Sequence, residues 1–113
     1  MEKKLGTVKY ISPELFEGNV ATYDPFQSDV WSLGVILCLM LTSSELYELP
    51  CYRDARFKYL VTGRLKEVFT VWGVELSDEA ISLMEGMLQL NPSMRFTMDE
   101  VLDHPFVTKL VED

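Results

Sequence analysis

Glu14, Glu17, Asp24 and Asp29 gather early in this chain, while Arg95 lies far along it and a single histidine, His104, stands near the end. Carboxylates so grouped could hold a metal-bound phosphate, but only inside a shaped cavity. A glycine cradle for phosphate is missing, since the closest two glycines, Gly63 and Gly73, are ten positions apart and no G-x-G occurs. Taken singly, Glu14 and Asp29 read as a loop acid and a helix cap, and Arg95 as a solvated charge. His104 precedes a proline, a setting more often structural than catalytic. Cys38 and Cys51 form no C-x-x-C pair, and Cys38 falls in an apolar run where a thiol behaves as a small hydrophobe. Met84, Met87, Met94 and Met98 need only be packing.

The element that must position these groups is the run from Asp29 to Leu41, apolar after Asp29 except for Ser32 and Gly34. A surface helix would show one apolar stripe, whereas this one is apolar on every side. At about a dozen residues, against roughly 20 for a bilayer span, it reads as a buried core helix. Ser28 and Asp29 offer cap-type oxygens at its start, and Thr42-Ser43-Ser44 breaks the pattern. Gly34 inside it predicts a close backbone approach, because glycine otherwise costs a helix about 1 kcal/mol.

Around that helix the pattern is helical throughout. A short turn is expected over Pro13 to Glu17, and Asp24-Pro25 is a turn signal. Phe57, Leu60 and Val61 predict a helix over Asp54 to Thr62 with Gly63 as its stop, and Leu65, Val68, Phe69 and Trp72 a second ending at Gly73. Ser77 caps a third, carrying Ala80, Ile81, Met84, Met87 and Leu88 and ended by Asn91-Pro92. Thr97 and Glu100 form a capping box for a last helix, ended by His104-Pro105. No segment alternates as a strand should. The expected fold is all-α, one domain over residues 1–113, built around one buried helix.

With 113 residues, 48% hydrophobic and 12% aromatic, the chain has the composition of a folded protein. Its net charge of −8 argues against nucleic acid or an anionic membrane as partner and leaves basic peptides or proteins as company. Met1-Glu2-Lys3-Lys4 is followed by no apolar stretch of the signal-peptide kind. The expected location is intracellular and cytoplasmic, with reduced thiols.

Four strings stand out: Gly6-Thr7-Val8-Lys9-Tyr10-Ile11-Ser12-Pro13-Glu14; Ser28-Asp29-Val30-Trp31-Ser32-Leu33-Gly34; Leu90-Asn91-Pro92-Ser93-Met94-Arg95; and His104-Pro105-Phe106. In this order and spacing the chain resembles the C-terminal lobe of a eukaryotic Ser/Thr protein kinase, from the end of the activation segment to the domain end. Ser12-Pro13-Glu14 stands where that family has A-P-E, with Ser for Ala. The resemblance implies that Gly6, Thr7 and Tyr10 belong to the loop that receives the protein substrate, Thr7 being of the Ser/Thr-specific kind. It implies structural roles for Glu14, Asp29, Trp31, Gly34 and Arg95. Asp29 would hold the catalytic loop from beneath, and Arg95 would clamp Glu14 with two parallel bonds.

Phosphoryl transfer in that family also needs a Gly-rich loop, a strand lysine, an H-R-D…N loop and a D-F-G aspartate for Mg²⁺. None of these strings is present, so no catalytic or metal residue is expected, and ATP with Mg²⁺ only in a full-length parent. Two readings follow. The chain is a fragment of a Ser/Thr kinase carrying the substrate-docking half, or a non-catalytic remnant that binds a kinase or a basic peptide. Glu45, Glu48 and Asp54 are the acids expected to attract such peptides. The first reading expects about four large side chains, among Val30, Leu33, Ile36, Leu37 and Met40, to lose their cover, with the missing kinase portion or another kinase as the natural partner.

Overall fold

Asp24 and Pro25 open the long helix, four residues ahead of the start read from the sequence. The computed structural model describes residues 10–18, 24–44, 46–47, 50–51 and 53–112. Its helices are α1 (Pro13–Phe16), α2 (Pro25–Thr42), α3 (Ala55–Val61), α4 (Leu65–Trp72), α5 (Asp78–Met87), α6 (Met98–Asp103) and α7 (Pro105–Glu112). Among the described residues all regular structure is helical, as the absence of alternation predicts.

Asp24 is the cap of α2. Its carboxylate accepts from the Phe26 N–H at 2.9 Å and the Gln27 N–H at 3.5 Å, and Pro25 sits in the first turn, where a missing N–H needs no partner. The pair is therefore a helix start rather than a turn, and Ser28 and Asp29 lie inside the helix. Ser43, left-handed at φ 59°, closes the far end by donating its N–H to the Leu39 carbonyl at 2.7 Å.

Asp54, Ser77 and Thr97 cap α3, α5 and α6 through their side chains, the last with the reciprocal Glu100 bond of a capping box. Helix α5 stops at Leu88, short of Asn91-Pro92. The residues beyond form tight turns, with the Met94 and Arg95 N–H groups returning to the Asn91 and Pro92 carbonyls. His104-Pro105 ends α6 and also begins α7, a helix the sequence did not suggest. Pro105 fills its first position, and His104 Nδ1 accepts from the Phe106 N–H at 3.1 Å.

Helix α2 is the hub. One flank meets a large cluster of Trp31, Val35 and Cys38 with Tyr47, Phe57, Phe69 and Met84. Another meets a smaller one of Val30 with Leu83, Met87 and Val101. At Gly34 the close neighbours are the Leu88 side chain and Met87 Cβ, 3.0–3.1 Å from where a Cβ would stand. The tight approach is thus to side chains of the α5 end, not to another backbone.

Helix α2 is not covered all round. Phe26 (78% exposed), Leu33 (41%), Ile36 (38%) and Met40 (74%) form an open stripe, and Asp29 lies on it, also exposed. Of the five candidates, about four of which are expected to lose their cover, three are exposed. Val30 is buried against α5 and α6, and Leu37 is half-buried, packed against both clusters. By length and composition alone α2, at 18 residues, could cross a bilayer. Its hydrogen-bonded inner face and its packing on α5 and α6 make it a core helix instead.

Candidate functional site

Arg95 reaches the centre of the molecule from the turn after α5. Its side chain is fully buried, and its guanidinium meets the Glu14 carboxylate with Nη1–Oε2 at 2.8 Å and Nη2–Oε1 at 3.0 Å. Nε donates to the Gln89 carbonyl at 3.0 Å, Nη1 to that of Gln27 at 2.8 Å, and Nη2 to that of Leu90 at 3.3 Å. A guanidinium has five N–H donors, and here all five are used. Its Cζ also lies 5.2 Å from the Trp31 ring centroid, a cation–π geometry. One side chain thereby ties α1, the start of α2 and the loop after α5.

Burial pushes the Glu14 carboxyl up. The bidentate Arg95 bond, a backbone N–H and the Arg95 charge outweigh it and hold the group below the usual carboxylate range.

The strand of chain that carries Glu14 is fastened at two further points. Ser12 Oγ and Ser28 Oγ share a buried hydrogen bond of 2.7 Å, and Ser32 Oγ donates to the Tyr10 carbonyl. Tyr10 itself packs half-buried against the large cluster. The end of the expected substrate loop is therefore clamped to α2. Gly6 and Thr7 lie outside the described residues.

Trp31 donates Nε1–H to Tyr47 Oη at 2.8 Å. Phe57 completes a trio, edge-on to Tyr47 at 5.4 Å and tilted to Trp31 at 6.0 Å. Burial pushes the Tyr47 phenol well above its ordinary value despite the Trp31 bond, so the trio stays neutral. Burial likewise pushes the Cys38 thiol up to about 11, with Thr42 lowering it only in part. A thiol so held is protonated and inert as a nucleophile. His104 uses Nδ1 for α7 and has Nε2 3.3 Å from Ser82 Oγ, which is structural work.

The sequence missed Ser12, Ser32 and Tyr47, and read Ser28 as a cap. Ser28 and Ser32 stand one turn apart in a mostly apolar helix, and that spacing is the signal that marked a hydrogen-bonding edge. Asp29 is held apart from all of this. Among the described residues no hydrogen bond or ion pair reaches its carboxylate. Of the acids expected to draw basic peptides, Glu45 and Glu48 lie outside the described residues. Asp54 is half-buried and spends one oxygen capping α3, on the Arg56 and Phe57 N–H groups. Among the described residues no group of three His, Cys, Asp or Glu side chains could hold a metal ion. No catalytic step is assigned to the described residues.

The arrangement thus has a clamped loop on one side of α2 and an open apolar stripe with an acid on another. Residues 1–107 match the protein kinase domain family. The chain is 33% identical over 111 residues to a probable cell cycle serine/threonine-protein kinase CDC5 homolog of Encephalitozoon cuniculi, covering 96% of this chain and 22% of that protein. It is 36% identical over 102 residues to probable serine/threonine-protein kinase CCRP1 of Zea mays, covering 90% and 15%. It is 36% identical over 108 residues to probable serine/threonine-protein kinase mkcD of Dictyostelium discoideum, covering 93% and 15%. The chain spans less than a quarter of the length of each of these relatives.

Proposed function

The chain belongs to the protein kinase domain family, and from that premise we propose that it is the substrate-docking half of a serine/threonine kinase, unable to transfer phosphate alone. The observation that carries this reading is the stripe on α2, where Asp29 is exposed among Leu33, Ile36 and Met40. Apolar side chains around a carboxylate suit a partner that brings both apolar cover and backbone N–H donors. In the kinase family the catalytic loop and the helix before it supply that pair. The partner on this face is accordingly the rest of a kinase domain, which would also bring the residues for ATP and Mg²⁺.

Tyr10, with Gly6 and Thr7 before it, is the proposed docking loop for a protein substrate, supported by the clamp of Tyr10 and Ser12 onto α2 and of Glu14 onto Arg95. The net charge of −8 supports substrates with basic side chains there. Two free buried cysteines suit a reducing, intracellular setting.

The test is calorimetry with Mg²⁺-ATP and a phosphotransfer assay on Ser/Thr peptides, using purified 1–113. The expected result is no binding heat and no transfer; a reproducible ATP-dependent signal free of contaminating kinase would overturn the reading. One observation favours the alternative, a self-sufficient interaction module. Among the described residues no buried polar side-chain atom lacks a partner, as expected of a core complete without further chain.

A further inference from the structure

Half of the ten cationic side chains fall between Arg53 and Lys66, and only one acid, Asp54, falls among them. On a chain of net charge −8 this is a local reversal of sign. It coincides with two adjoining grooves that share Ala55 and Tyr59. The first, about 310 Å³, lies between α3 and α4 and is lined by Ala55, Arg56, Tyr59, Val68, Val71 and Trp72. The second, about 400 Å³, adds Lys58, Thr62 and Arg64.

The floor is apolar. Val71 is 81% exposed at the mouth, Tyr59 is 40% exposed and Trp72 half-buried. A valine so open beside two aromatic rings is a surface that gains by being covered. The rim is basic. Arg64 stacks its guanidinium 5.2 Å from the Tyr59 ring centroid, which fixes a cation on the lining of the second groove, against a ring that both grooves share. Lys58 is exposed on the α3 side, and Lys66 is exposed one residue into α4 with Asp78 3.8 Å away. Glu67, one turn before Val71, is the acid nearest the mouth on α4.

We infer that the α3–α4 groove is a docking site for an acidic segment of a partner protein, anchored by a large apolar side chain. The first groove is at the bottom of the size range of small-molecule pockets, roughly 300–1,000 Å³, and suits one or two side chains better than a cofactor. Cations on its rim select acidic neighbours of that anchor and disfavour basic ones. The substrate loop proposed above belongs to the opposite charge class, so the two surfaces recruit different partners. The inference does not depend on kinase activity.

The test is fluorescence anisotropy on the full chain with three labelled twelve-residue peptides. Each carries the same Phe and Leu anchors, spaced by Asp and Glu, by Asn and Gln, or by Lys. The acidic peptide is expected to bind at least about tenfold tighter than the neutral one and to weaken as salt rises. Lys58→Glu with Arg64→Glu should erase that preference, and Val71→Asp should weaken both acidic and neutral peptides about tenfold. All three positions are exposed, and an unchanged helical circular dichroism spectrum shows the variants folded. Equal binding of acidic and neutral peptides, or indifference to all three substitutions, overturns the inference. So does a single-stranded oligonucleotide or an anionic vesicle that binds as tightly with the same dependence on Lys58 and Arg64.

Discussion

Removing Glu14 while keeping Arg95 is the sharpest perturbation of the core. In Glu14→Ala, Nη1 and Nη2 each lose a carboxylate oxygen and keep only the Gln27 and Leu90 carbonyls. The guanidinium then holds an uncompensated charge at 0% side-chain exposure. Breaking a buried pair from one side costs about 3–5 kcal/mol. Removing Arg95 instead, as Arg95→Met, leaves the Gln89, Gln27 and Leu90 carbonyls without that donor as well, each loss worth about 1–3 kcal/mol. Arg95→Met should therefore be the worse of the two, enough to unfold a domain of ordinary stability, about 5–15 kcal/mol.

Glu14→Gln adds a pH signature. Because the folded carboxyl holds its proton more weakly than the unfolded one, its contribution is intact above the ordinary value of 4.5. It is lost as pH falls through the lowered folded value. Wild type should lose stability over that acid window, and Glu14→Gln should lose less. The assay is urea unfolding followed by tryptophan fluorescence, with Trp31 lying against the Arg95 guanidinium and Trp72 replaced by Phe, in a background carrying Met40→Lys and Ile36→Gln. A Glu14→Ala effect under about 1 kcal/mol, or Arg95→Met milder than Glu14→Ala, would refute the account of the pair.

The stripe on α2 leaves a little over two side chains' worth of surface uncovered, so roughly 3–7 kcal/mol of burial is missing at about 1.5–3 kcal/mol each; isolated 1–113 should bind apolar dyes and self-associate on size exclusion. Met40→Lys with Ile36→Gln should reduce both without lowering helicity, and a sharply melting, dye-silent wild-type monomer would remove the fragment reading. Gly86→Ala should destabilise by about 1–3 kcal/mol, because its Cβ would stand only 2.2–2.5 Å from carbons of the Phe96 ring, which must move. Gly34→Ala should change stability by no more than about 1 kcal/mol, since the buried Leu88 side chain and Met87 Cβ need give by only a few tenths of an ångström; denaturant midpoints in the reverse order would contradict the packing. Tyr47→Phe should cost about 1–3 kcal/mol by orphaning the buried Trp31 Nε1–H, and a thermal midpoint equal to wild type would show that bond to be unimportant.

The sequence alone determined whatever depends on short range. Helix periods, the caps of α5 and α6, and the stops at Gly63 and Gly73 are written within a turn or two of the residues that make them. The same locality misled where one signal serves two outcomes. A proline after a cap residue reads as a break, yet at Asp24-Pro25 and His104-Pro105 it starts a helix, because the missing N–H is harmless only in a first turn. Pairing over long separations came from the family pattern for Glu14 and Arg95, which sit 81 residues apart, and not from their residue types. Tertiary structure alone decided which faces of α2 are covered. A run apolar on all sides carries no record of where its neighbours stand, so Val30 proved buried and Met40 open. Packing also decided which glycine is indispensable: Gly34 drew notice by lying in a helix, while the ring that forbids a side chain lies against Gly86, ten residues from Phe96 in sequence.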